Sequence, residues 1–370
     1  MKLDHKKRRS GFGGSDAAAA LGLSKYRSPL EVQYSKWGLT EPGEQSEPAY
    51  WGTRLEPVIL EEFAKREGKW VLGYDKDDHL VLYAPDGAVR SHRTQITKQA
   101  VQNGNAELMG FIRHPVHDFM IGHMDGIVLE PPNLHGPNWY VGQWKVVGGV
   151  DAKTTSAFKA HEWGDEGSDR VPSEYLLQVQ HYDIILVGLI GYPVPFHIPA
   201  LIGGQRWKVF DIEYSEKLAE NIIRLEKEAW QMVLDEEPAS PSPGDNIGVL
   251  YPEADEEKIL EIDSGHEVFE MAARSKVLEE RIKSDKEELD LLDNQIQMIM
   301  KDSSKVKHED GWSIIWVQTK GKLAWKALAQ HLLNKHGYGE GETEALKENN
   351  TGKEGRLYRR YLKNLEIDDG

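Results

Sequence analysis

Apolar and polar positions change period along the chain, and the changes mark its elements. Residues 16–38, DAAAALGLSKYRSPLEVQYSKWG, read as an alanine-rich helix, a turn over GLSKYRSP in which Pro29 suits a helix start, and a second amphipathic helix. A third helix is predicted in SEPAYWGTRLEPVILEEFAKREGK, where Trp51, Leu55, Val58 or Ile59, and Phe63 recur at helical spacing and Glu56 shares their inward side. From 69 to 129 the texture becomes short β-rich runs, ending in DFMIGHMDGIVLE. There Phe119, Ile121, His123, Asp125 and Ile127 alternate onto one strand face. Across the polar loop PPNLHGPN, the run WYVGQWKVVGGVDAKTT reads as the second strand of a loose-tipped hairpin.

The next segment, VPSEYLLQVQHYDIILVGLIGY, is a helix starting near Pro172 with Tyr175, Gln178 and Tyr182 at i, i+3 and i+7. A strand pair in VPFHIPALIGGQRWKVFDIEYS leads to a helix from 215 to 236, stopped by EEPASPSPGDN. This cluster divides the chain into a domain at 1–237, a Pro/Ser/Gly-rich linker at 238–254 and a C-terminal arm at 255–370. In the arm, Val268, Met271, Ser275, Leu278, Ile282, Asp285, Leu289, Leu292, Ile296 and Ile299 follow alternating steps of three and four. Two of these positions are polar, so the stripe is expected to pack on a neighbour in its own chain, such as the 215–236 helix, rather than to pair as a zipper. A strand at WSIIWVQ, a helix at AWKALAQHLLNKHG and a charged tail close the chain, and no tandem repeat is present.

Composition narrows the classes. With 370 residues, 39% of them hydrophobic, the chain builds one large domain or a domain with an appendage. A formal net charge of -16 excludes indiscriminate coating of nucleic acid or anionic membrane, leaving room for a local basic channel. Without cysteine there is no disulfide, zinc-thiolate site or cysteine nucleophile, so a metal must sit on oxygen or imidazole. No apolar run reaches transmembrane length, and the N-terminus MKLDHKKRRSGFGGS lacks the apolar core of a signal peptide. The chain reads as a cytoplasmic protein with no membrane association.

The candidate chemistry lies in GGVDAKTTSAFKAHEW. On a strand, Asp151 and Lys153 share a face while Ala152 turns to the other. Asp125, on the preceding strand of the hairpin, sits beside them. Two carboxylates that close repel each other unless a cation lies between them. Mg²⁺, or Mn²⁺ in its place, supplies it, taking the two carboxylates, the backbone carbonyl of Ala152 and water, with Glu56 able to complete the shell. Lys153 can then hold or deprotonate a water and offset charge building on a phosphate. Alone, D-x-K is most simply a strand-end salt bridge. Its order in the chain raises it: a glutamate helix, an acid on one strand, D-x-K on the next, then a Gln-x-Gln-x-Tyr helix. At the N-terminus GFGGSD is a Gly-rich turn opening a helix, which either binds an anion or is capped by Ser15 or Asp16.

These stretches, with RRSGFGGSDAAAALGLSKYRSPLEVQYSKWG, WGTRLEPVILEEFAKREG, HMDGIV, VDAKTT and EYLLQVQHYDIILVG in this order over residues 8 to 190, resemble the phage-type alkaline exonucleases, or YqaJ-like viral recombinases, of the PD-(D/E)xK nuclease superfamily. The resemblance implies an α/β fold with a mixed central sheet flanked by helices and a helical C-terminal extension. It implies Asp125 and Asp151 as metal ligands, Lys153 as the catalytic lysine, Glu56 as a further acid, and Gln180, ahead of Gln178, as the helix glutamine near the scissile phosphate. Arg8 and Ser15, seven residues apart, match the pair that receives a terminal 5′-phosphate, and Arg54 and Gln178 join them as DNA contacts. Asp151 stands where the superfamily more often has glutamate, and Met124 where it has proline. The implied activity is a 5′ to 3′ exonuclease on double-stranded DNA ends that leaves 3′ single strands for recombination. A ring-shaped homotrimer, a single-strand annealing partner and a phage or prophage setting in a bacterial host are implied with it.

Other residues have plainer readings. His123 is expected to be a hydrogen-bonded strand histidine, and His161 and Trp163 exposed loop residues. Trp144, Trp207, Trp230, Trp312, Trp316 and Trp325 are expected in packing rather than as a base-stacking platform. Lys353, Arg356, Arg359, Arg360 and Lys363 form a second basic cluster read as a solvated face. The alternatives to an exonuclease are an endonuclease or nickase with the same site, a non-catalytic DNA-end adaptor, and a scaffold built on the 265–300 helix.

Overall fold

The computed structural model describes residues 5–41, 43–102, 104–132, 143–253, 258–263, 265–311, 313–315, 317–318 and 356–357. Four helices open the chain: α1 (His5–Arg8), α2 (Gly14–Ala20), α3 (Pro29–Trp37) and α4 (Glu47–Arg66). Next come β1 (Trp70–Tyr74), β2 (Leu80–Tyr83), β3 (Val89–Arg90), α5 (Gln95–Ala100), α6 (Asn105–Leu108), β4 (Ile112–Arg113), β5 (Ile121–Gly122) and β6 (Gly126–Glu130). The second half holds β7 (Lys145–Val150), β8 (Lys153–Thr155), α7 (Ser173–Ile190), β9 (Phe196–Ile202), β10 (Arg206–Ile212), α8 (Glu216–Leu234), α9 (Glu267–Met300), β11 (Lys305–Lys307), β12 (Ser313–Ile315), β13 (Val317–Gln318) and β14 (Arg356–Leu357). The chain divides into two compact units, Met1–Asp255 and Glu256–Gly370.

The first unit is a mixed sheet in the order β10-β9-β7-β6-β1-β2-β3, with β8 also paired to β9. Its pairings are antiparallel except β7 with β9 and β8 with β9. Strand alternation buries both faces. Val71, Val81, Val128 and Val209 pack under α4 through Leu60, Phe63 and Ala64. Leu72, Leu82, Ile127 and Leu129 face the opposite core, with Val179 and Ile185 of α7 and Ile222 of α8. Close approach needs glycine in the middle: a Cβ on Gly149 would fall 2.1 Å from the Phe196 ring.

A third cluster, Phe12, Ala19, Ala20, Val32 and Val233, fastens α2 and α3 to the end of α8. Pro29 opens α3, capped by Ser28 and Glu31 in a reciprocal capping box. The Pro/Ser/Gly-rich segment after α8 is not a free linker in its first part. Gln33 donates to Glu237 O at 3.0 Å and accepts from Ala239 N at 2.7 Å. Ser28 Oγ donates to Asp245 Oδ1 at 2.6 Å, and Tyr34 OH to Asn246 O at 3.2 Å.

Several local expectations change. Trp51 and Val58 are exposed, and the buried stripe of α4 runs through Ile59, Leu60 and Phe63. The run from Phe119 to Ile127 is not one strand. It breaks after Gly122 because the chain before α2 pairs there: Phe12 N donates to Phe119 O and Ile121 N to Phe12 O. Trp163 is buried between Tyr175 and Phe210, with ring centroids 5.5 and 5.2 Å away. In α9 the stripe positions Val268, Met271, Ile282, Leu289 and Ile299 are exposed among the described residues. The helix expected at 324–337, Trp312, Trp316, Trp325, and Lys353, Arg359, Arg360 and Lys363 of the tail lie outside the described residues, as does most of the PPNLHGPN loop. Among the described residues no helix is long and apolar enough to cross a membrane.

Candidate active site

The strand carrying D-x-K is interrupted at the motif. β7 ends at Val150, β8 begins at Lys153, and both run parallel to β9. Asp151 N still bonds His197 O on β9, at 3.0 Å. The next amide turns away: Ala152 N donates to Asp125 Oδ2 at 2.8 Å. Asp125 lies just before β6, antiparallel to β7, so the two acids meet across the hairpin as the sequence predicts.

Asp151 is only 1% exposed and lies in a fixed setting. Lys153 Nζ is 2.5 Å from its Oδ2, and Gln178 Nε2 donates to its Oδ1 at 3.2 Å. Burial alone would lower the Lys153 pKa, but the charges of Asp151 and Asp125 and the hydrogen bond to Asp151 raise it, so the side chain is an ammonium. That ammonium also lies 5.1 Å from the centre of the Tyr175 ring.

Glu56 comes from the buried side of α4, whose Gly52 passes over Thr154 of β8. Burial, then the charge of Asp151, pushes the Glu56 carboxyl up to about 7. Asp125 is half-buried. Burial and the charges of Glu56 and Asp151 hold it well above the usual carboxylate range. Three carboxylates thus converge on one ammonium, and the set is short of positive charge when all are ionised. A hard divalent cation fits this deficit and this all-oxygen donor set.

The two glutamines of α7 separate. Gln178 reaches Asp151, whereas Gln180 is buried on another face and donates to Glu213 O at 3.0 Å. Helical period explains it, since residues two apart point about 200° apart and Tyr175, Gln178 and Tyr182 share one side. That spacing is in the sequence, and it favours Gln178 over the Gln180 preferred above. Tyr175 and Tyr182, one beside Lys153 and the other 3.5 Å from Gln178 Nε2, are contacts the motif reading leaves out.

At the N-terminus the structure brings Arg8 and Ser15 onto one cavity of about 150 Å³, with Gly13, Gly14, His123 and Tyr182 also in its wall. Gly13, not Ser15 or Asp16, is the N-cap of α2, and Ser15 is exposed. Asp16 is buried, takes Gly13 N at 3.1 Å, and pairs with Lys36 at 2.7 Å and Arg27 at 3.0 Å. Although burial opposes it, these cations hold Asp16 below the usual carboxylate range. Lys36 also donates to Arg8 O at 2.9 Å, which fixes the backbone leading into the turn. His123 stacks on Tyr74 with ring centroids 5.9 Å apart, and its Nε2 has no hydrogen-bond partner among the described residues. Arg54 is exposed on α4 and His161 is exposed after β8.

A separate group, Asp75, Asp77 and His79, brings three ligand atoms within 4.8 Å of one another in the β1–β2 turn. Asp75 Oδ1 accepts the Asp77 and His79 amides at 2.9 Å each, so the group closes a turn in solvent.

The fold is thus a mixed sheet flanked by helices, with one acid just before β6 and D-x-K spanning the break between β7 and β8. Residues 5–185 match the family model described as the YqaJ-like viral recombinase domain. The uncharacterized protein YqaJ of Bacillus subtilis (strain 168) is 28% identical over 303 residues, covering 80% of this chain and 77% of that protein. Among solved structures, the alkaline exonuclease LHK-Exo from Laribacter hongkongensis matches with a TM-score of 0.39 at 14% identity, over 62% of this chain and 91% of that chain. Its complex with dAMP gives 0.41 at 13%, over 64% and 94%.

Proposed function

We propose that this protein is a metal-dependent nuclease that degrades double-stranded DNA from its 5′ ends and leaves 3′ single strands for phage-type recombination. The observation that carries the reading is the convergence of Asp125, Asp151 and Glu56 on Lys153. Asp125 and Asp151 would hold the metal, with Glu56 and the Ala152 carbonyl as further oxygens. Mg²⁺ or Mn²⁺, when bound, polarises the scissile phosphate and acidifies a water.

Lys153, held as an ammonium by its pairing with Asp151, steadies the attacking water and offsets charge on the phosphate rather than removing a proton. Gln178 holds the Asp151 carboxylate in one orientation. Arg8 can bond a terminal phosphate bidentately and Ser15 can donate its hydroxyl, with Arg54 as an outer contact to the backbone. A ring of three copies around the duplex would keep so acidic a chain on DNA through a lined channel, and a single-strand annealing protein would take up the product, in the cytoplasm of a bacterial host.

The test is digestion of linear duplex labelled at either the 5′ or the 3′ end, with a covalently closed circle as control, by the wild type, Asp151→Ala and Lys153→Ala. Loss of the 5′ label as mononucleotides, an intact circle and inactive variants are expected. Cutting of the circle would establish an endonuclease instead. Binding of ends without cleavage by any form would establish an adaptor.

A further inference from the structure

The turn between α2 and α3 borders a cavity that reaches Gln178. Leu21 caps the end of α2, Gly22 follows at φ +70, and the Ser28 cap starts α3, so both ends of the turn are fixed. At its tip Tyr26 is 68% exposed, yet it is held in place. Tyr26 N bonds Ser24 Oγ at 3.1 Å, and the Tyr26 hydroxyl accepts from Lys159 Nζ, whose ammonium lies 5.0 Å from the ring centre. Lys25 bridges the same gap, with its amide on Glu174 Oε1 at 3.4 Å and its ammonium 4.0 Å from Glu162.

Beneath this strap is a cavity of about 230 Å³ whose wall includes Ser15, Gln178, Thr155 and Tyr175 along with Tyr26 and Lys159. One side of it is therefore Gln178, the residue that touches Asp151. Next to Lys159, Phe158 is 91% exposed. An ordered tip that holds an aromatic ring and an ammonium in water beside a carboxylate cluster matches what a nucleotide strand needs: a flat apolar surface for a base and a cation for the phosphate next to it.

We propose that Tyr26 and Lys159 form a subsite for the strand being cut, in which the Tyr26 ring stacks on a base and Lys159, released from the Tyr26 hydroxyl, takes a backbone phosphate. The inference rests on the nuclease reading above, and it makes both positioning residues rather than catalytic ones.

Steady-state cleavage of 5′-phosphorylated duplex in Mg²⁺ by Tyr26→Ala, Tyr26→Phe and Lys159→Ala tests it, alongside 2-aminopurine fluorescence from a single strand bound to Asp151→Asn with and without Tyr26→Ala. Loss of one base–aromatic stack predicts a KM raised about 5- to 100-fold in Tyr26→Ala with kcat within about threefold of the wild type. Tyr26→Phe should stay near the wild-type KM because it keeps the ring, and Lys159→Ala should raise KM and reduce its salt dependence. The bound 2-aminopurine should brighten when Tyr26 is replaced, with the thermal midpoint unchanged.

The inference fails if the wild type cuts while Tyr26→Ala keeps its KM, if kcat falls instead, or if Tyr26→Phe is as impaired as Tyr26→Ala. If the wild type does not cut at all, the nuclease reading fails separately. The fluorescence comparison then still decides the subsite, because unchanged binding and unchanged emission without Tyr26 would overturn it.

Discussion

The Ala152 amide donates to Asp125 Oδ2 at 2.8 Å, and this one bond ties the interruption of the D-x-K strand to the acid on the neighbouring strand. Asp125 is therefore both a candidate metal ligand and the acceptor for a backbone group that β9 leaves free. Asp125→Asn keeps an acceptor and removes a carboxyl whose ionisation burial, Glu56 and Asp151 oppose. We expect it to leave stability without metal unchanged or raised, while cleavage falls about a thousandfold or more. Asp125→Leu orphans the amide and should cost about 1–3 kcal/mol in addition. Urea unfolding in EDTA, paired with cleavage rates, separates the two effects.

The raised carboxyls predict a pH dependence. Glu56 ionises near 7 and Asp125 well above its ordinary range, so the folded metal-free protein binds protons that the unfolded chain has released. Stability without metal should therefore fall as pH rises from the ordinary carboxylate range through about 7. Bound metal must displace those protons, so its affinity should rise over the same interval. Thermal midpoints in EDTA and in Mg²⁺ from pH 5 to 8.5 check the sign: the gap between them should widen with pH, and Glu56→Gln should narrow it.

Gln178 and Gln180 should fail in different ways. Gln178→Ala frees the Asp151 carboxylate and should lower kcat by about 10- to 100-fold with little change in stability. Gln180→Ala removes a buried bond to Glu213 O and should lower stability by about 1–2 kcal/mol while leaving kcat near the wild type. Equal loss of kcat in both would contradict the assignment of Gln178 to the site.

His181 and Glu226 are both fully buried. The imidazole donates Nδ1–H to Glu226 at 2.9 Å and Nε2–H to Ile121 O at 2.9 Å, so it is charged. Burial opposes that charge, but Glu226 and the Ile121 carbonyl raise the pKa above its ordinary value. The resulting stabilisation is complete below the ordinary histidine pKa and is lost as pH rises through the raised folded value. Glu226→Ala should cost about 3–5 kcal/mol at pH 6, and less at pH 9, by denaturant unfolding.

The sequence alone determined the helices α2, α3, α4, α7 and α8 and the β9–β10 pair. Each follows from a local period, a cap or a strand alternation that a short window contains. The resemblance that residues 5–185 bear to the YqaJ-like viral recombinase domain was legible in the order of short motifs along the chain. Tertiary structure decided what period cannot encode: the strand break at Asp151–Ala152, the raised carboxyl of Glu56, the burial of Trp163 and the fastening of Glu237 and Ala239 by Gln33. Each depends on a partner far away in the chain, and a hydrogen bond or a charge acting across such a separation leaves no periodic trace in either segment.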